Sequence, residues 1–148
     1  MEYDEILKKL APCGLNCEKC LAFSNGQIKF HSTKLKELLG SFDTYAERFS
    51  KYRPIFKNYP AFKELLDSFT QGNCRGCRSG ECLYPNCGVF ACYKEKGVDF
   101  CFQCEDFPCE KTNFDPDLHD RWLQMNSRMK EIGVESYYEK TKDLPRYR

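Results

Sequence analysis

The sequence contains no long run of hydrophobic residues and almost no excess of either charge. A segment that spans a bilayer needs about 18 consecutive apolar residues, and the opening residues MEYDEILKKL also lack the apolar stretch of a secretion signal. Lys and Arg number 23 against 22 Asp and Glu, a net charge of +1, which excludes a global field that attracts nucleic acid or an anionic membrane. We therefore expect a cytoplasmic protein with no membrane partner.

The chain also lacks the residue sets that identify several enzyme classes. It has only two histidines, His31 and His119, and neither lies beside a cysteine pair. There is no His-Glu-x2-His motif, no phosphate-binding glycine loop and no Ser/His/Asp set. We expect a surface or packing role for His119, and the sequence favours a protein that is not an enzyme.

Cysteine, in contrast, is abundant, with 11 of the 148 residues. Cytosolic thiols are kept reduced, and an odd number cannot pair completely within one chain, so this count indicates ligands rather than disulfides. Three of the cysteines form a C-x3-C-x2-C run, Cys13, Cys17 and Cys20. The other eight lie in a second region and are Cys74, Cys77, Cys82, Cys87, Cys92, Cys101, Cys104 and Cys109.

Two C-x2-C pairs in the second region carry the strongest chemical signal. A tight turn between two such thiolates aims both at one tetrahedral ion, and zinc is typically held this way, with zinc to sulfur distances of about 2.3 Å. In the pair Cys74 and Cys77 the turn contains Gly76, which tolerates a positive φ. The sequence therefore predicts zinc bound in a knuckle-like loop.

The spacing leaves the grouping of the ligands open. In the arrangement that we favour, one site is made of Cys74, Cys77, Cys87 and Cys92. A second site is then made of Cys101, Cys104 and Cys109, with a fourth ligand from Cys13, Cys17 or Cys20. The alternatives join Cys74 and Cys77 directly to Cys101 and Cys104, or give the N-terminal run an ion of its own. We expect Cys82 to be a small buried hydrophobic residue.

Apolar spacing predicts a mostly α fold, with short helices, irregular cysteine loops and little sheet, in a single domain over residues 1–148. The cysteine-free middle, residues 28–70, is expected to hold two to four short helices, one closed by Gly40 and another capped by Asp43. A further helix there begins near Pro60. Its apolar residues at i, i+3, i+4 and i+7 are Phe62, Leu65, Leu66 and Phe69.

The C-terminal helices, residues 115–142, follow the cysteine cluster of residues 74–109. Asp115 and Pro116 favour a helix start, as cap and first helical residue, and Gly133 favours a stop. The apolar positions between them are Leu118, Trp122, Met125, Met129 and Ile132. We expect one or two more turns within Ser136 to Lys142 and an exposed end from Asp143 to Arg148.

The cysteine segments resemble those of the DUF3795 family of bacterial and archaeal proteins. The resemblance rests on the run CGLNCEKC, the knuckle CRGC, the pair Cys87 and Cys92 followed by KGV, and the segment CFQCEDFPCEK. It spans nearly the whole chain, and Cys82 falls outside its pattern. The resemblance implies a cysteine-rich, zinc-binding protein whose family has no assigned activity.

Three functions are compatible with these residues. The first is a structural zinc protein that acts as an interaction module for a protein or nucleic acid, with Arg75 and Arg78 as a possible basic rim. The second is an iron–sulfur protein in electron transfer or redox sensing, since thiolates also hold clusters. The third is a small metalloenzyme with an open cysteine-ligated zinc and a base such as Glu105 or Asp106.

Overall fold

A computed structural model of the protein describes residues 1–80 and 82–148. Within them the chain forms seven α-helices and four short 3₁₀ helices, and an isolated antiparallel bridge pairs Leu10 with Asn16. The α-helices are α1 Tyr3–Leu7, α2 Gln27–Leu39, α3 Asp43–Ser50, α4 Tyr59–Thr70, α5 Gly88–Lys96, α6 Pro116–Ile132 and α7 Val134–Thr141. The 3₁₀ helices are Cys17–Lys19, Pro54–Asn58, Cys77–Ser79 and Cys101–Gln103. The mostly α fold with little sheet is thereby confirmed, and no helix of this described part is long and apolar enough to cross a membrane.

The chain divides into two compact units. The first, here named the cysteine unit, consists of Met1–Cys20 and Cys74–Arg148, and the second, the inserted unit, is Leu21–Asn73. All eleven cysteines belong to the cysteine unit. The single domain over residues 1–148 stays a prediction.

The inserted unit contains α2, α3 and α4, as the apolar spacing predicts, and Gly40 ends α2 with a φ of 52°. The prediction that Asp43 caps α3 is wrong by one residue, because Phe42 is the N-cap and Asp43 is the first helical residue. The ring of Phe42 lies 4.9 Å from that of Tyr59, so packing rather than a side-chain cap fixes the start of this helix. Asp43 instead pairs with Lys63 at 3.6 Å.

Helix α4 begins at Tyr59 with Pro60 in its first turn, as predicted. Only part of its apolar face is buried, since Leu66 is 5% exposed while Leu65 is 60% exposed. The inserted unit therefore keeps large apolar side chains at its surface.

The cysteine unit is organised around α6. The carboxylate of Asp115 accepts a hydrogen bond from the backbone N–H of Leu118 at 3.0 Å, and Gly133 ends the helix, so both predicted ends are confirmed. Helix α7 follows at once, two residues before the predicted Ser136. Two groups of core residues pack on these helices. One group is Ile6, Leu10, Phe100, Met125, Met129, Val134, Tyr137 and Tyr138, and the other is Ala11, Cys13, Val89 and Trp122.

The C-terminal tail is exposed as predicted, and only Arg146 within residues 143–148 is half-buried. The guanidinium of Arg146 donates to the carbonyl of Asn16 at 2.5 Å. The ammonium of Lys19 donates to the carbonyl of Leu144 at 2.7 Å. The tail is therefore held against the N-terminal cysteine run by hydrogen bonds to backbone carbonyls.

Candidate metal centre

Four cysteines line one small apolar cavity in the cysteine unit, and we name them the cavity cysteines. They are Cys92, Cys101, Cys104 and Cys109. Helix α5 supplies the first, and the 3₁₀ turn at Cys101–Gln103 brings the next two to one side of the chain, since the N–H of Cys104 donates to the carbonyl of Cys101 at 3.1 Å. The cavity has a volume of about 30 Å³. It therefore has room for one or two bodies the size of a water molecule, which fill about 10–15 Å³ of such space each.

Trp122 places a hydrogen-bond donor in the wall of this cavity. Its side chain is fully buried, and among residues 1–80 and 82–148 no acceptor stands at hydrogen-bonding geometry to its Nε1. The nearby group is the thiol of Cys101. Burial raises the pKa of this thiol to about 11, and the indole N–H of Trp122 acts to lower it. An unsatisfied buried N–H costs about 1–3 kcal/mol, and a thiolate at Cys101 would satisfy it. The wall is thus suited to negatively charged sulfur.

A second group, named the loop cysteines, gathers where the N-terminal run meets the first C-x2-C pair. Its members are Cys17, Cys74, Cys77 and Cys82. The thiol of Cys77 forms hydrogen bonds with the sulfur atoms of both Cys17 and Cys82. Cys74 lies within electrostatic range of Cys17, Cys20 and Cys82. Four thiols from three separate stretches of chain are therefore neighbours here.

Backbone N–H groups point at the sulfur atoms of the loop cysteines. The N–H of Gly76 donates to Cys74 Sγ at 3.3 Å, and the N–H of Tyr84 donates to Cys82 Sγ at 3.4 Å. Gly76 has a φ of 96°, a conformation that glycine adopts without a steric penalty, so the bend predicted at this pair is confirmed. Such donors favour the charged form of sulfur.

The hydrogen bonds between the loop cysteines also shift their pKa values. The bonds to Cys77 lower the pKa of Cys17 and the pKa of Cys82, and they raise the pKa of Cys77. Since the thiolate is the form that binds metal, Cys17 and Cys82 give up their protons more readily than Cys77 does.

Neither group is a closed metal site as it stands. Within residues 1–80 and 82–148, no three His, Cys, Asp or Glu side chains converge in the geometry of a metal site. Thiolates repel one another at short distance, so a cation is needed to draw four of them together. Rotation of the thiols about χ1, between staggered rotamers, is the movement that would close each set.

The cavity brings Cys92 together with Cys101, Cys104 and Cys109. Cys87 lies outside it, because five residues along a helix correspond to a rotation of about 140° around its axis. Which thiols share an ion, in the favoured arrangement or in the direct union of the two C-x2-C pairs, stays a prediction.

Two predicted ligands fall outside both groups, and a third lies beside the loop cysteines. Cys13 is 6% exposed, packs in the core, and has its pKa raised to about 12 by burial. Cys87 is the N-cap of α5, where burial raises its pKa and the N–H groups of Phe90 and Val89 lower it. Cys20 lies within electrostatic range of Cys74 and receives a contact from the hydroxyl of Tyr147 at 3.9 Å. A ligand role for these three stays a prediction.

The expectation for Cys82 is wrong. It is an exposed residue rather than a buried hydrophobic one, and its sulfur is bonded to the thiol of Cys77. The sequence does carry a signal for this, because a spacing of C-x4-C from Cys77 is within the range used by zinc ligands. Gly80, with a φ of 94°, lies in the chain between these two cysteines.

Arg78 has a structural role rather than the role of a basic rim. Its Nε donates to the carbonyls of Leu7 at 2.9 Å and of Leu10 at 3.2 Å, and a terminal nitrogen donates to the carbonyl of Asp99 at 2.7 Å. The guanidinium also lies over the ring of Phe100, 5.2 Å from its centroid. Arg78 therefore joins three segments of the cysteine unit.

Two polar residues near the cavity cysteines, Asp106 and His119, interact with other groups of the protein. Asp106 forms an ion pair with Lys96 at 2.8 Å, and that hydrogen bond holds its pKa below the usual range, which makes it a weak base. His119 packs its ring 5.0 Å from that of Trp122 and has its Nε2 3.3 Å from the carbonyl oxygen of Cys109. The packing role expected of His119 is confirmed.

Comparison with known proteins identifies one family. A family model with the description "Protein of unknown function (DUF3795)" matches residues 9–114, a range that includes all eleven cysteines. The resemblance seen in the sequence is thereby confirmed. No curated protein and no solved structure matches the chain.

Proposed function

This chain belongs to the DUF3795 family, and we propose that it is a zinc-binding protein whose metal is mainly structural. One ion is held by Cys92, Cys101, Cys104 and Cys109, and a second by Cys17, Cys74, Cys77 and Cys82. The observation that carries the proposal is the small cavity that the first four thiols line, with the buried N–H of Trp122 in its wall. Four thiolates around one point are the donor set of structural zinc.

The size of the cavity favours zinc over an iron–sulfur cluster. A single ion fits a space of about 30 Å³, whereas a cluster adds several iron and sulfide atoms within the same four cysteines. The apolar wall also favours a structural zinc over a catalytic one, because a catalytic zinc keeps one coordination position open for water. Asp106, the nearby carboxylate, is already paired with Lys96.

Structural zinc matches the energetic needs of the cysteine unit. A tetrathiolate site contributes an apparent free energy of about 10–16 kcal/mol in small zinc domains. The whole stability of a domain is about 5–15 kcal/mol. Long stretches of the cysteine region, such as residues 97–115, contain little regular structure besides one 3₁₀ turn. Bonds between zinc and thiolates would fix the positions of these segments, which have few of the backbone hydrogen bonds of regular secondary structure.

Interaction with a partner is the role that we assign to such a module. Because the carboxylate of Asp106 beside the cavity is already paired with Lys96, we assign the role to the surface of the folded unit rather than to catalysis. We place the protein in the cytoplasm, where its thiols stay reduced, with a protein or a nucleic acid as partner.

Metal analysis tests the proposal directly. The protein is purified without air and without a metal-chelating column, and its metals and visible spectrum are measured. We expect about two zinc ions per chain and no colour. Iron with acid-labile sulfide, or a chain that binds no metal, would overturn the proposal.

Two variants test which thiols hold the first ion. We expect Cys92→Ser to bind one zinc ion fewer than the native chain. Cys87→Ser is the matched control, because it lies at the start of the same helix, outside the cavity, and serine is a good N-cap. Equal metal content in the two variants would contradict the assignment of Cys92.

A further inference from the structure

Two arginines of the cysteine unit, Arg121 and Arg148, line two cavities at once, and we name them the cleft arginines. One cavity is a groove of about 1050 Å³ along α6 and α7, close to the upper end of the range of about 300–1,000 Å³ for small-molecule sites. The other is a pocket of about 30 Å³ beside the N-terminal cysteine run. Because the cavities share these residues, they adjoin at the cleft arginines.

Hydrogen bonds to backbone carbonyls fix the surroundings of the cleft arginines. A terminal nitrogen of Arg121 donates to the carbonyl of Arg146. The guanidinium of Arg146 in turn donates to the carbonyl of Asn16 at 2.5 Å. The tail that carries Arg148 is therefore fastened both to α6 and to the N-terminal run, which keeps its two ends of the cleft together.

The cleft arginines have no acidic partner. Neither of them takes part in an ion pair within residues 1–80 and 82–148. Arg128, in the same groove, differs, because it pairs with Glu131 at 2.5 Å. Burial and the positive charges of Arg146 and Arg148 lower the pKa of Arg121. Two cations thus lie close together without a carboxylate, an arrangement that a bound anion would stabilise.

Hydrogen-bond acceptors lie on either side of the cleft arginines. In the small pocket the side-chain oxygen of Asn16 is buried, and no donor within residues 1–80 and 82–148 reaches it. In the groove the carboxylates belong to Asp117, Asp120 and Asp115, the last of which also caps α6. A buried acceptor without a partner is costly, so these walls are suited to a ligand with hydroxyl groups, which donate hydrogen bonds.

We propose that this cleft binds a sugar phosphate, with the phosphate group on the cleft arginines and the sugar hydroxyl groups on Asn16 and the aspartates of the groove. Guanidinium groups match phosphate oxygens in a planar, two-point geometry. The charges also match, because a phosphate monoester carries about −1.5 to −2 near neutral pH, whereas a carboxylate carries a single charge. The cleft contains none of the cavity cysteines or loop cysteines, so the proposal does not depend on zinc.

Titration calorimetry of the native protein tests this proposal. The probes are glucose 6-phosphate, ribose 5-phosphate, inorganic phosphate, glucose and acetate, at about 50 mM salt, where screening is moderate. We expect at least one sugar phosphate to bind more tightly than inorganic phosphate, and glucose and acetate to bind more weakly than either. No binding of a sugar phosphate up to about 10 mM, or acetate or glucose binding as tightly as the sugar phosphates, would overturn the proposal.

Variants test which residues hold the phosphate. Arg148 is exposed, so Arg148→Ala should fold like the native chain, and we expect it to weaken binding of the sugar phosphate about tenfold or more. Lys130→Ala is the matched control, because it removes the same charge from an exposed position of α6 outside both cavities. Native affinity in Arg148→Ala, or an equal loss in Lys130→Ala, would contradict the assignment of the cleft arginines.

Discussion

Replacing Trp122 by phenylalanine removes one hydrogen-bond donor from the wall of the cavity that the cavity cysteines line and keeps an aromatic ring in the core. The side chain is fully buried and packs on the rings of Phe107, at 5.2 Å, and His119, at 5.0 Å. The smaller ring leaves a void, which costs about 1–2 kcal/mol on the scale of other large-to-small core changes. In metal-free protein the change also removes an unsatisfied N–H, which returns about 1–3 kcal/mol. We therefore expect the metal-free free energy of unfolding to change by less than about 1 kcal/mol, because the two effects oppose each other.

Zinc affinity should change more than stability. In a zinc-loaded protein the same N–H would donate to a charged sulfur at Cys101, and a hydrogen bond to a charged group contributes about 1.5–3 kcal/mol. Sulfur is a weak acceptor, so we take the lower end, close to 1.4 kcal/mol, which corresponds to about tenfold in Kd. Trp122→Phe should therefore weaken zinc binding at the cavity cysteines about tenfold.

The assay is competition for zinc with a chromophoric chelator, combined with denaturant unfolding of the metal-free protein. Ile6→Val is the control, because Ile6 is fully buried in the core group that contains no cysteine and its truncation costs about 0.5–1.5 kcal/mol. An unchanged zinc affinity in Trp122→Phe, or an equal weakening in Ile6→Val, would refute the reasoning.

Three further changes test the fold around the site. Asp115→Ala removes the cap on the N–H of Leu118 and should lower the free energy of unfolding in urea by about 1 kcal/mol; an unchanged midpoint would contradict this. Burial holds the pKa of Cys13 at about 12, against 9.0 for an ordinary thiol, so its contribution to stability is complete below pH 9 and declines as pH rises toward 12. Metal-free, reduced protein should thus lose about 1.4 kcal/mol per pH unit in that range from this group, and Cys13→Ala should flatten the slope measured by denaturant unfolding above about pH 9. Gly88→Ala would place a Cβ 1.8 Å from the carbonyl oxygen of Lys111, and we expect a loss of about 1–3 kcal/mol in thermal unfolding; a native midpoint would count against this contact.

Local signals in the sequence predicted the helices well. The start of α6 depends on Asp115 and its neighbour Pro116, and its end depends on Gly133, so a few adjacent residues determine the whole element. The start of α3 was missed by one residue because the ring of Phe42 packs against residues distant in the chain, which local capping rules do not include. Helix propensity and capping residues thus predict those helices whose ends depend on neighbouring residues in the chain.

The grouping of thiols could not be predicted in the same way. Spacing shows that Cys74 and Cys77 can face one point, but the other members of a set come from segments that meet only in the folded chain. Cys92 joins Cys101 because α5 turns that face toward the cavity. The expectation of a buried Cys82 does not consider that its sulfur interacts with Cys77. Tertiary packing decides both.

The folded inserted unit would affect zinc affinity at the loop cysteines without touching the metal, because it brings together the two ends of a long loop. Its two ends lie side by side, since a Cβ at Gly72 would come within 2.9 Å of the carbonyl oxygen of Ala22, and Lys29 donates to the carbonyl of Gly72 at 2.7 Å. When this unit is folded, the loop of about 57 residues between Cys17 and Cys74 behaves as a loop of roughly eight, which reduces the entropy of closing it by about 1.7 kcal/mol. Folding of the inserted unit would then lower the Kd for zinc at the loop cysteines by more than tenfold. A segment without cysteines would thus raise metal affinity only by lowering the entropic cost of closing the loop.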